Sequence, residues 1–322
     1  MQDKAAKSIQ LSNVRAILLG VTSLIMSLSI FMSAFAPYPL ALVSSILGRK
    51  RGYGLCLVLL VISLVLSIVV FKSVFTFGIF CIVILVSIMT TEIIRLKIKP
   101  VKGIFISGLV LLFLSLTVGY AGLKSQDLSL KGYILQTIEE NKEAFEQQKR
   151  ELEKSAKTDE AFQSLSLLNQ PEILADTIIK EIPTYFVGGA FLVIWLNLFL
   201  LIRSQRFLLR NRSSALSEFS LIYIKLPDHL IWIVIASLGM VLAGDQLSPL
   251  LPQIGSVIIS ALAVFYFFQG FGIYIHFLNY VNVKGIFRTL LIVFTILTAN
   301  YILVLIGLFD MFINFRRFFI KK

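Results

Sequence analysis

The sequence predicts an all-α fold, a polytopic transmembrane helical bundle. Three observations carry that prediction. Of 322 residues, 57% are hydrophobic and only 15% are charged, with a mean hydropathy of +0.88. A soluble domain runs about 45–50% apolar and about 25% charged. The apolar residues gather into uncharged runs, and a membrane crossing takes about 20 of them. The charges are also sorted. Residues 123–182 hold 8 Lys and Arg against 12 Asp and Glu, while the remainder holds 22 against 6. Basic residues collected in short loops between apolar spans are the positive-inside signal. The net charge of +12 therefore reads as topology and not as nucleic-acid binding.

The first 15 residues, MQDKAAKSIQLSNVR, are polar. No small-residue cleavage site follows the first apolar run, so that run reads as a retained span and not a signal peptide. The run from Ala16 to Gly48 is uncharged but holds Pro37 and Pro39, which break a helix. It is too long for one span and barely enough for two. Two solutions follow: a span with a short second crossing, or a span with a re-entrant helix covered by protein. Either way it ends at Arg49, Lys50 and Arg51, expected on the cytoplasmic side.

Further runs cover Gly54–Phe71, Val74–Ile94, Gly103–Leu123, Pro183–Ile202, His229–Gly244, Ile254–Asn279 and Ile286–Phe309. The expected total is eight or nine spans. They form an N-terminal membrane bundle (1–123) and a C-terminal one (183–322), separated by an extramembrane insertion (124–182). The insertion reads as an acidic extracytoplasmic helical hairpin. Glu146 with Arg150, and Glu153 with Lys157, have the favourable i,i+4 spacing. Ile134, Ile138, Phe145 and Leu152 make a stripe too thin for an independent core. Pro171, with Glu172 behind it, starts the second helix. The tail, DMFINFRRFFIKK, conflicts with this layout, since alternation puts its four cations outside. Either the last apolar region is not a simple crossing, or the tail lies at the interface.

No catalytic signature is present. The chain lacks GxxxxGK[ST], HExxH and GxSxG, and its two histidines, His229 and His276, are far apart in sequence. No enzyme activity, metal or cofactor is expected. Cys56 and Cys81 lie inside apolar runs and read as packing residues.

Polar side chains at membrane depth are the better clue, because they are costly there. The run 254–279 carries Tyr266, Gln269, Tyr274 and His276, with Gly270 and Gly272 between. These residues read either as a polar ligand pocket or as interhelical hydrogen bonds. Asn197 and Asn300, each near the middle of its span, divide the same way. The candidate ligand-binding set is Gln269, Tyr266, Asn197 and Asn300. Glu92 reads as an interfacial pair with Arg95. Asp310 reads as a helix boundary or a partner of Arg316 or Arg317. Pro227 and Asp228 read as the start of the next helix. Arg203, Arg206, Arg210 and Arg212 make the 203–225 loop strongly basic, fit either for docking a cytoplasmic partner or for resting on anionic lipid.

Several segments in order resemble the YybS-like family of polytopic bacterial membrane proteins. They are PYPLALVSSILGRKRG, IYIKLPDHLIW, FYFFQGFGIYIHFL and IGLFDMFINFRR. The first half is also distantly similar to the substrate-binding S components of energy-coupling-factor vitamin transporters, in having a first span followed by a proline-containing segment and a glycine turn. The resemblance implies a bacterial cytoplasmic membrane location. It also implies a bundle that binds a small molecule and works with a separate coupling membrane protein and ATPases.

The expected function is therefore non-enzymatic: binding a small solute, or assisting its transport, without an ATPase of its own. The rival expectation is a structural or assembly protein that docks envelope partners through the outer hairpin and the basic 203–225 loop. Partners beyond the lipid bilayer follow from these two readings, and nucleic acid is not among them.

Overall fold

The structure is a computed structural model. It describes residues 13–29, 32–72, 74–125, 127–141, 170–208, 221, 224–248 and 250–319. Every regular element among them is helical. In chain order they are α1 (Asn13–Ser27), α2 (Pro37–Val69), α3 (Val74–Arg95), α4 (Pro100–Ser125), α5 (Leu130–Glu140), α6 (Pro171–Leu208), α7 (Leu230–Leu247), α8 (Leu250–Tyr280), α9 (Gly285–Thr298) and α10 (Asn300–Ile313). Two 3-10 turns, Ser33–Phe35 and Phe315–Phe319, precede α2 and follow α10.

Among the described residues, five helices are long and apolar enough to cross a membrane, or up to six if a bent pair forms one span. That is fewer than the eight or nine expected, and the difference has physical causes. In α1 and α7 the apolar stretches are short, Val14–Ser27 and Leu230–Gly244. At 1.5 Å per residue neither reaches the roughly 30 Å of a hydrocarbon core. The run 286–309 is not a straight crossing: α9 and α10 meet at 89°.

The first proline-containing run folds back on itself. Within α2, Gly48 has φ 81° and ψ 177°, a region open essentially only to glycine. Beyond it the chain reverses. Ser44 Oγ lies 3.8 Å from Cys56 Sγ, whereas twelve residues of straight helix would separate them by about 18 Å. Residues 37–47 thus form a short helical arm of about 16 Å, half the depth of a bilayer core. The arm is thus, like α1, too short to cross a hydrocarbon core by itself.

The arm is covered by protein on several sides. Ser87 Oγ donates to the Pro37 carbonyl at 2.8 Å and Thr91 Oγ1 to that of Ala41 at 3.3 Å. The Arg95 guanidinium donates to the Ser44 carbonyl. These donors lie four residues apart on α3, one per turn, so the arm runs parallel to α3. At the arm's start, Ser23 Oγ donates to Ala36 O, and Asn197 Nδ2 donates to Ala34 O at 2.7 Å. Irregular backbone at membrane depth needs such partners, because no water is there to supply them.

The second half packs α6, α7, α8 and α10 together. An aromatic core joins α6 to α8. The Trp195 ring stacks on Phe268 at 4.8 Å, Phe191 meets Phe265 at 5.0 Å, and Phe199 meets Phe271 at 6.4 Å. Ser260 Oγ also donates to Thr184 O at 2.8 Å. The pairs rise together in number, so α6 and α8 are parallel.

Sequence reading ended the outer hairpin at 182 and began a span at Pro183. Instead Pro171–Leu208 is one helix with Pro183 inside it. The expected start at Pro171 with Glu172 in the first turn holds. Lys131 Nζ and Asp176 Oδ1, 2.7 Å apart, tie α5 to α6. The rest of the expected hairpin, residues 142–169, lies outside the described residues.

Candidate functional site

A buried polar arrangement surrounds Gln269, which is 2% exposed. Its position follows from two glycines. A Cβ on Gly270 would lie 1.8 Å from Leu303 O, and one on Gly307 would lie 2.0 Å from Tyr266 O. Only glycine at both positions lets α8 and α10 approach this closely, as small residues do at membrane helix crossings. The close crossing carries the Gln269 amide to Asp310, which is 3% exposed. Gln269 Nε2 donates to Asp310 Oδ2 at 3.1 Å.

The other end of the amide serves a different element. The Leu226 peptide N–H donates to Gln269 Oε1 at 2.8 Å. Residues 224–227 are non-helical, and Ile224 and Leu226 are buried. The same strip is held a second time, by Arg316 Nη2 donating to Ile224 O at 2.8 Å. Gln269 and Arg316 therefore clamp an unwound segment against α8 and the end of α10. The expectation that Pro227 and Asp228 open the helix is corrected by two residues. Helix α7 starts at Leu230 with His229 as its N-cap, without a side-chain cap.

Several buried polar atoms in the bundle have no hydrogen-bond partner: Asp310 Oδ1, Tyr266 Oη, Asn197 Oδ1, Trp195 Nε1 and Ser67 Oγ. Such atoms are rare in native interiors, and each asks for an explanation. Two of them, Asp310 and Tyr266, lie on the helices of the glycine crossing.

The candidate ligand residues are divided by the structure. Gln269 and Tyr266 share α8 and are both buried. Asn197 is buried on α6 but serves the 3-10 turn before α2, donating to Ala34 O and to Val193 O. Asn300 is exposed at the first residue of α10. Sequence spacing placed it in mid-span, but the break at Ala299 makes it a helix end.

Sequence reasoning left Asp310 outside the site, since it looked like a boundary at the end of a span. Its backbone does cap α10, with Asn314 N donating to Asp310 O at 2.8 Å. Its carboxylate nevertheless turns inward to Gln269. Among the docking candidates, Arg203 is exposed near the end of α6. Arg206 lies within α6, and Arg210 and Arg212 lie outside the described residues. Glu92 and Arg95 pair at 2.9 Å, and Arg49 approaches the same carboxylate at 3.7 Å. Among the described residues no group of three or more His, Cys, Asp and Glu is placed to hold a metal ion.

Phe319 sits against His276, Phe277 and Tyr280 at the end of α8, with ring centroids 5.5–6.5 Å away. The described part of the tail therefore packs at the end of α8, and the apolar region before it is bent by 89° between α9 and α10. That is the first of the two alternatives, a last apolar region that is not a simple crossing.

Neither the curated proteins nor the solved structures yield a match to this chain. Its sequence from residue 14 to 311 matches one protein family throughout, which agrees with the apolar helices in making it a membrane protein. The chain belongs to the predicted membrane protein family DUF2232.

Proposed function

We propose that this protein is a non-enzymatic polytopic membrane protein that binds a small polar solute, or assists its transport, without an ATPase of its own. The reading rests above all on the unpartnered Asp310 Oδ1 and Tyr266 Oη on the helices of the α8–α10 crossing. Unwound backbone and broken helices beside polar groups are how membrane bundles build solute sites. A buried carboxylate oxygen and a hydroxyl without partners are the groups a solute donor and acceptor would satisfy. The site is proposed at Tyr266, Gln269 and Asp310. Asn197 belongs to the cover of the arm, and Asn300 drops out. The similarity to YybS-like proteins and S components supports a bacterial cytoplasmic membrane location and a separate coupling protein with ATPases.

Tyr266→Phe tests this directly. The hydroxyl has no partner to lose, so melting of the free protein should stay within about 0.5 kcal/mol of wild type. Vitamins and other small polar metabolites are then screened for a rise in melting temperature, which binding to the folded state produces. Wild type should respond to at least one, and Tyr266→Phe should lose that response. A response retained in full would remove this site.

The assembly reading draws on the Lys131–Asp176 pair, which fixes α5 on the outer end of α6. Deleting 142–169 keeps both helices and separates the two readings. A solute-binding bundle keeps its thermal response, and an assembly factor loses its partner.

A further inference from the structure

The Gly48 bend of α2, the end of α3 and the start of α4 form a basic surface that the solute reading does not use. Between residues 37 and 102 the only acid is Glu92, yet Arg49, Lys50, Arg51, Arg95, Lys97, Lys99 and Lys102 all fall at this end. The fold brings these two loops together. Arg95 donates to the Ser44 carbonyl, four residues before the Gly48 reversal, and Arg49 reaches Glu92. Both guanidinium carbons lie 5.9 Å from the Tyr53 ring centroid. Glu92 is thus shared by two arginines at the inner edge of the cluster. Lys50, Arg51, Lys97, Lys99 and Lys102 lie outside it, all exposed.

The lysines are held outward by their neighbours. Ile98 and Val101 pack on the main hydrophobic core, so Lys97, Lys99 and Lys102 are presented from an anchored turn. About a turn further on, the surface becomes apolar and exposed, at Phe105, Ile106 and Leu109 on α4 and at Leu57 and Val58 on α2. A patch of surplus cations bordered directly by lipid-facing side chains has the layout of a phospholipid: phosphate at the cations, acyl chains along the helices. We infer that this surface binds the headgroup of an anionic phospholipid, with Arg51, Lys97, Lys99 and Lys102 as its principal contacts.

The test uses the full chain purified in zwitterionic detergent. Phosphatidylglycerol or phosphatidylcholine is titrated in, and retained lipid is counted by native mass spectrometry. Phosphatidylglycerol should be preferred, less so at high salt. Each cation near an anionic surface contributes roughly fivefold in binding. The combined variant Lys97→Gln, Lys99→Gln, Lys102→Gln should therefore lose roughly a hundredfold, with its melting temperature in zwitterionic detergent retained. Lys72→Gln, on the turn at the far end of α2, should lose nothing, while Lys99→Gln alone should lose about fivefold. Equal binding of the two lipids, or equal losses for Lys72→Gln and Lys99→Gln, would overturn the inference. So would inorganic phosphate displacing the lipid beyond the effect of sodium chloride at the same ionic strength, since the surface would then be a site for the free anion.

Discussion

Gly307→Ala should lower the melting temperature of the purified protein sharply, although it adds only one methyl group. That methyl would sit 2.0 Å from Tyr266 O and 2.9 Å from the Gly270 amide nitrogen. Both are backbone atoms, so no side chain can rotate away. The helices must separate, and tight packing then fails along the whole α8–α10 contact. Forced overpacking costs about 1–3 kcal/mol in ordinary cores, and rigid backbone puts this site at about 3 kcal/mol. Gly270→Ala should behave alike, with 1.8 Å to Leu303 O. Gly239→Ala on α7 is the control. Nothing lies within 4 Å of its Cβ position, and alanine is the better helix former. It should be neutral or slightly stabilising in the same melt. A melting temperature for Gly307→Ala equal to that of Gly239→Ala would mean that the crossing is not this close.

Gln269→Leu should be similarly damaging, for a different reason. The volumes are comparable, so packing is nearly conserved, but two polar groups lose their partner. The buried Leu226 N–H is left unsatisfied, which costs about 1–3 kcal/mol, and the Asp310 carboxylate loses its donor, which adds more where charge is involved. A total of about 3 kcal/mol is expected in thermal unfolding. Gln269→Glu separates the two contributions. As a carboxylate it still accepts from Leu226 but has no proton for Asp310, and two acids side by side can be accommodated only by taking up a proton. It should therefore remain destabilising. Restoring wild-type stability by combining Gln269→Leu with Asp310→Leu would assign most of the cost to the stranded carboxylate.

These two positions illustrate what the sequence makes legible. The runs at 74–94, 103–123 and 254–279 are long and apolar, and they form the helices Val74–Arg95, Pro100–Ser125 and Leu250–Tyr280, close to the expected bounds. The Glu92–Arg95 pair is a local i,i+3 relation, so spacing alone finds it. Pro171 with Glu172 marks a helix start by the same local logic.

What was not legible depends on contacts distant in sequence. Gln269 and Asp310 are 41 residues apart, and nothing in either segment names the other. Asn197 serves a carbonyl 163 residues away. Pro183 ordinarily marks a helix boundary, but neighbouring helices in a membrane bundle can re-satisfy the backbone that proline frees. The reversal at Gly48 sits before an RKR triplet that reads as an ordinary loop, and only its left-handed backbone reveals the folded-back arm. The expected spans outnumber the long apolar helices of the described residues for a related reason: hydropathy measures how apolar a run is, not whether its helix stays straight.

The measurement that bears most directly on the proposed function is affinity purification in mild detergent, with mass spectrometry of both the proteins and the small molecules that accompany the chain. The solute-binding account predicts one small polar molecule at near-stoichiometric yield, released by Tyr266→Phe, with or without a coupling membrane protein and its ATPases. Recovery of envelope proteins with no small molecule would contradict it, and would leave the Gln269–Asp310 arrangement as a structural clamp alone.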